Sequence, residues 1–179
     1  MASNNIINHP LLRPVASLFA NIRRNHALEH ATLAILRQKG AHGALGGISG
    51  VSGFWIIGEI DPTLLQSAVE EALNRLRAGE KRLAISPNCG STYAIPGALA
   101  GLAAWLIMLL PGADSFKRKF DRLPLLMLAA TLVYMLARPL AFRVQERVLT
   151  DPNPRTMKVS AILIYIRYGK YFQHVRTGQ

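Results

Sequence analysis

Apolar positions recur at helical spacing over residues 21–39, where Leu28, Ile35 and Leu36 fall seven and eight residues apart with Leu33 beside them. Gly40 follows at the place where a helix commonly stops. The glycine-rich stretch 43–53 has no such period and reads as a flexible turn region feeding a strand at 54–60. Asp61 then Pro62 predict a helix start, an acidic cap followed by a proline whose missing N–H is not needed. That helix should run over 62–78, with Leu65, Val69, Ala72 and Leu76 as one apolar stripe and Gly79 as its stop. Residues 81–86 suggest a second short strand, and 87–90 a turn. The order helix, strand, helix, strand predicts a small α+β domain over residues 1–92.

The pattern then changes kind. Residues 83–113 hold no charged side chain. Within them 93–111 is long enough to cross a bilayer as a helix. Gly97 and Gly101 stand four apart, a spacing that lets another helix approach closely. A short polar loop at 112–122 leads to a second apolar run at 123–137. It reaches spanning length if Arg138 snorkels to the headgroups and Phe142 marks the far edge, and Pro139 is a place where it would kink or end. Residues 93–142 are thus expected to be a two-helix transmembrane hairpin. The remainder, 143–179, reads as a basic juxtamembrane tail, with 159–168 either a strand joining the N-terminal domain or an interfacial segment.

Charge sharpens this picture. The chain carries 21 Lys and Arg against 10 Asp and Glu, a net +11. Such a balance suits nucleic acid or an anionic membrane surface. The apolar hairpin favours the membrane, where each nearby basic residue contributes about 1 kcal/mol of attraction. No zinc-finger spacing, RNA-binding aromatic signature or basic heptad region is present, so nucleic acid is not expected as a partner. The glycines match neither a dinucleotide nor a Walker fingerprint. Residues 1–12 lack the basic start and apolar core of a cleaved signal, so none is expected. The basic residues are divided between the loop (Lys117, Arg118, Lys119, Arg122) and its flanks (Lys81, Arg82, Arg138, Arg143, Arg147). With the domain of residues 1–92 left unexported, the expectation is cytoplasmic termini in a bacterial inner membrane.

One short string carries candidate chemistry. His26, Glu29 and His30 form H-x-x-E-H, and positions i, i+3 and i+4 share one helix face. Two imidazoles so placed can grip one zinc ion, with the carboxylate beside them as a base for water. The alternative is a surface cluster, with Glu29 paired to Arg24 or to the Arg37 side of the helix. Cys89, the single cysteine, is a candidate soft ligand or a plain turn residue. His42 is a weaker candidate in a loop, and His9 and His174 have no partner in sequence. Ser91 and Thr92 suit the cap of the first apolar helix, and Asp61 that of the second soluble one.

Residues 25–33 around this string resemble the zinc-binding helix of the pitrilysin/insulinase metallopeptidases, the inverted zincins. The glycine turn, strand and amphipathic helix that follow extend the resemblance over residues 21–80. It implies His26 and His30 as metal ligands, Glu29 as general base and zinc as cofactor. The family's third ligand is a glutamate on a later helix. At the matching distance this chain has its first apolar run and no acid, which leaves Glu70, Glu71 or Cys89 as candidate third donors. Taken whole, with Asn88, Cys89 and Gly90 before an apolar hairpin, the chain looks like a small bacterial membrane family of unknown function.

Two functional expectations follow. The first is a membrane-anchored metal-binding protein, akin to a zinc metallopeptidase and acting at the bilayer. The second is a non-catalytic accessory or assembly subunit of a larger membrane complex, docked through the Gly97/Gly101 face.

Overall fold

The computed structural model describes residues 13–111, 116–168 and 170–178. Residues 1–12, which include His9 and the expected lead segment, lie outside the described residues, as does part of the polar loop at 112–115. The chain divides into two compact units, one built from residues 1–86 and 146–179 and the other from 87–145.

In the first unit α1 (Arg13–Gln38) is the central helix. Leu28, Ile35 and Leu36 are fully buried, as its period predicts, and Leu33 is nearly so. A side chain of this size contributes about 1.5–3 kcal/mol on full burial. Helix α2 (Pro62–Arg77) packs on α1 and buries Leu65, Val69, Ala72 and Leu76. Its first turn is closed by Asp61, whose carboxylate accepts from the backbone N–H of Thr63 and Leu64. Hydrogen bonds from the hydroxyl of Thr63 and, less strongly, from the N–H of Leu64 hold the Asp61 carboxyl below the usual aspartate value.

The glycine-rich stretch is not a flexible turn. It forms strand β1 (Gly46–Gly50), which turns at Val51 and Ser52 into β2 (Gly53–Ile57). Strand propensity does not foretell this, because glycine has no side chain to pack. Tertiary contacts require it instead. A Cβ on Gly47 would sit 2.2 Å from Oε1 of Glu29, and one on Gly53 (φ +142°) would sit 2.0 Å from the carbonyl oxygen of Val175. Strand β2 ends at Ile57, earlier than the apolar run suggests, because Gly58 turns at φ +144°.

Residues 81–86 are not a strand either. Lys81–Ala84 make a single 3-10 turn against α1, with Ala84 buried. The tail supplies the rest of the sheet: β3 (Lys158–Arg167) and β4 (Lys170–Gly178) are antiparallel, and the four strands run in the order β1-β2-β4-β3. Residues 146–179 therefore belong to the folded unit and are not a separate juxtamembrane tail. Phe54 pairs with Val175 and Ile56 with Gln173, all four buried on the face toward the core. Trp55 pairs with His174 on the other face, where the rings stack at 4.2 Å.

In the second unit α3 (Ser91–Met108) packs against α5 (Leu123–Val144), with a five-residue helix, α4 (Phe116–Phe120), between them in the chain. Ser91 and Thr92 do not cap α3. Thr92 donates its hydroxyl to the carbonyls of Pro87 and Cys89, and Ser91 donates to the Cys89 sulfur at 3.2 Å. Arg122 closes the far end of α3, donating to the carbonyls of Leu110 at 2.7 Å and Pro111 at 2.6 Å. Pro139 does not end the second helix. α5 continues to Val144 and passes into a wider π-type turn, Gln145–Leu149. One missing N–H is a small loss to a helix held by packing on its neighbour.

Both helices are long and apolar enough to cross a membrane, and only 17% of the residues in each candidate span are buried. Trp105, Leu106, Leu109, Met127, Met135 and Leu136 are all more than half exposed.

Candidate metal centre

Helix α1 presents His26 and His30 one turn apart, with ring centroids 4.3 Å from each other. Each ring is oriented by a backbone carbonyl from a distant part of the first unit. Nδ1 of His30 lies 2.8 Å from the carbonyl oxygen of Ala84, and Nδ1 of His26 lies 3.1 Å from that of Leu149. A carbonyl only accepts, so each Nδ1 must carry the proton. In the neutral ring the lone pair is then on Nε2, the arrangement found in metal-ligating histidines.

The 3-10 turn at Lys81–Ala84 is what brings the first carbonyl to His30. The second comes from the π-type turn, which is fixed to α1 by Arg23. Its guanidinium donates to the carbonyls of Arg147 and Thr150, each at 3.0 Å. The backbone N–H of Asp151 donates to the carbonyl of Arg23 at 3.0 Å. Arg24, on the same helix, pairs with Asp151 at 3.5 Å.

His30 is 2% exposed, and its Nε2 is buried without a hydrogen-bond partner among the described residues. Leaving such an atom unsatisfied costs about 1–3 kcal/mol. A metal ion is the ligand for which a neutral, orphaned imidazole nitrogen is suited. One ring nitrogen of His26 lies within 4.8 Å of one of His30. Two ligand bonds of about 2.0–2.1 Å each can nearly bridge that distance. By donor type and separation the pair could hold a metal ion.

Glu29 is 4% exposed, so the surface-cluster reading fails for it. It does not pair with Arg24, whose partner is Asp151. Its carboxylate lies along the backbone of Gly47 and accepts a short hydrogen bond from the Ser49 hydroxyl. Strand β1 thus holds the acid from one side, a role that sequence spacing does not reveal.

The acidic third-donor candidates are elsewhere. Glu70 is exposed on α2 and accepts from Gln66 at 3.0 Å. Glu71 pairs at 3.0 Å with Lys39, just past the end of α1 and nine residues beyond His30. Hydrogen bonding from Lys39 holds the Glu71 carboxyl below its usual range. Neither is brought to the histidines. Cys89 is half-buried at the start of the second unit, where its sulfur accepts from Ser91. His42 lies in the loop before β1, and His174 is stacked on Trp55 in the sheet.

Residues 21–162 match the model of a family described as "Domain of unknown function (DUF6391)". An uncharacterized protein of the bacterium Picosynechococcus sp. (strain PCC 7002) is 40% identical over 99 residues, 48% of each chain. The chain therefore spans about half the length of the curated relative it matches. No solved structure matches. Neither description assigns an activity, and the likeness to pitrilysin/insulinase peptidases stays that of one helix and its immediate successors.

Proposed function

The chain belongs to the family described as a domain of unknown function, DUF6391, and from its own residues we propose that it is a membrane-anchored metal-binding protein. Zinc is the metal proposed, with His26 and His30 as ligands through Nε2 and Glu29 as an adjacent general base. The observation that carries this reading is the buried, unpartnered Nε2 of His30 beside a second imidazole of the same tautomer. Zinc held there would act as a Lewis acid and lower the pKa of water toward about 7. The residues of this chain contribute the rest. Ala84 and Leu149 fix the rings, and Ser49 and Gly47 fix the carboxylate that takes a proton from water during attack on an amide.

The anchor is proposed to be α3 and α5. Their exposed Leu, Met and Trp side chains support lipid contact, since they gain nothing in water. The termini are proposed to be cytoplasmic, at a bacterial inner membrane. Substrates would then be peptides or proteins near the bilayer.

A second reading, an accessory subunit without catalysis, is favoured by one observation. Gly97 and Gly101 are exposed, and an added Cβ at either meets nothing within 4 Å. A partner helix would find room there.

The test is metal content of protein purified in detergent without chelator and offered zinc. About one zinc per chain, lost in His26→Ala/His30→Ala, is expected for such a site. With metal established, Glu29→Gln should abolish peptide hydrolysis while keeping the zinc. A chain that takes up no metal refutes the centre and leaves the subunit reading in front.

A further inference from the structure

The end of the β3–β4 hairpin projects apolar side chains that are largely open. Ile164 (44% exposed), Tyr165 (48%), Ile166 (65%) and Tyr168 (89%) are consecutive but for Arg167. Alternation along a strand puts Ile164 and Ile166 on one face and Tyr165 on the other. Tyr165 lies 5.5 Å from the Trp55 ring and is still half exposed, while the Ile164 and Ile166 face is open. Near the middle of the same strand Ile162 packs on the core, so the exposure belongs to the end that extends past it.

Two further observations say what this end meets. The first is charge. Arg167 and Lys170 form the last cross-strand pair and are exposed, and residues 158–178 contain no acid at all. A second copy of this hairpin would be repelled, whereas an anionic surface would be attracted. The second is the turn. Tyr168 has φ +52°, the left-handed region, where a hairpin turn ordinarily uses asparagine, aspartate or glycine. A tyrosine kept at that position, almost wholly exposed with Arg167 lying 5.4 Å from its ring, is poorly suited to water. It is well suited to the headgroup layer, where an aromatic ring with a polar tip and a neighbouring cation are both satisfied.

We propose that the β3–β4 hairpin end is an interfacial anchor, seating Tyr165, Ile166 and Tyr168 among the headgroups of an anionic bilayer with Arg167 and Lys170 on the phosphates. For its nearness to a bilayer this rests on the membrane anchoring by α3 and α5. It adds a second, lipid-selective contact made by the folded unit itself.

The full chain is reconstituted in nanodiscs of phosphatidylcholine alone or with a third phosphatidylglycerol, and backbone hydrogen exchange is followed over residues 162–173. Protection at least tenfold greater in the anionic discs is expected. It should be lost in Arg167→Glu/Lys170→Glu and in Ile166→Ser/Tyr168→Ser, with exchange in α1 and α2 unchanged as the check on folding. Equal exchange in both discs overturns the proposal, and so does protection that also appears in detergent and grows with protein concentration, which would mark a protein contact. A chain that stays in water without detergent fails the anchoring reading instead. The hairpin is then judged by flotation with the same two lipid compositions: binding only to anionic vesicles upholds it, and none refutes it.

Discussion

His26 and His30 are four residues apart on one helix, yet the carbonyls that orient them come from Leu149 and Ala84, far apart in the chain. The two rings therefore report on the closure of the whole first unit. If they hold a metal, that metal is linked to folding. Removing it with chelator should lower the thermal midpoint of the native chain by several degrees, as expected for a ligand of the folded state alone. Readdition of zinc should restore it, and His26→Ala/His30→Ala should not respond. A native chain indifferent to chelator would separate the histidines from any metal.

The Glu29 carboxylate and the Gly47 backbone exclude any larger residue at 47. Gly47→Ala should destabilise by about 1–3 kcal/mol, the usual range for overpacking. In a Glu29→Ala background most of that loss should vanish, because the clash is with Oε1, Cδ and Cγ of that side chain. Ser49→Ala should cost about 1–3 kcal/mol by leaving a buried carboxylate short of a donor. Thermal unfolding of the native chain, Gly47→Ala, Glu29→Ala and the double variant closes the cycle, and Ser49→Ala is read beside it. Additive losses would place the carboxylate elsewhere.

Asn25 ties three segments together. Its amide donates to the carbonyls of Gly50 and Val51, and its oxygen accepts from Thr177 at 2.7 Å. It is 1% exposed, so Asn25→Ala strands those groups away from water. A loss of about 2 kcal/mol is expected. Hydrogen exchange should rise at the β1–β2 turn before it rises in α2. Uniform acceleration would mean that the bond is not local in effect.

His174 supplies a pH dependence with a definite sign. Burial first, and the charge of Arg176 second, hold it below its ordinary value of 6.5. The folded state thus prefers the neutral ring, and the unfolded chain binds the proton more readily. The stabilisation is complete above 6.5 and is lost as pH falls through the lower folded value. In a Trp105→Phe background, Trp55 emission should titrate with a midpoint below 6.5, since its ring stacks on His174. Arg176→Gln should raise that midpoint. A native midpoint at or above 6.5 contradicts the assignment.

What the sequence made legible was periodic. The stripe of α2, the buried face of α1, the two long apolar helices and the shared face of His26 and His30 all follow from spacing. The strand at Gly46–Gly50 did not, because the glycine at 47 answers to the Glu29 side chain rather than to strand preference. The orientation of the histidines was equally hidden. Backbone carbonyls at Ala84 and Leu149 leave no mark in residue identity. Nor could spacing show that Glu70 and Glu71 serve ion pairs and surface bonds on α2.

The central strand pair of the sheet joins residues 53–57 to residues 172–176. A ribosome delivers β2 before β4, with both long apolar helices in between. Until β4 is made one edge of β2 has no neighbour, and the core under Phe54 waits for Val175. Insertion of α3 and α5 into a bilayer would therefore precede closure of the domain that flanks them. Because that domain claims the chain on both sides of the helical pair, the chain leaves it at residue 86 and must re-enter it at residue 146 before the sheet can close.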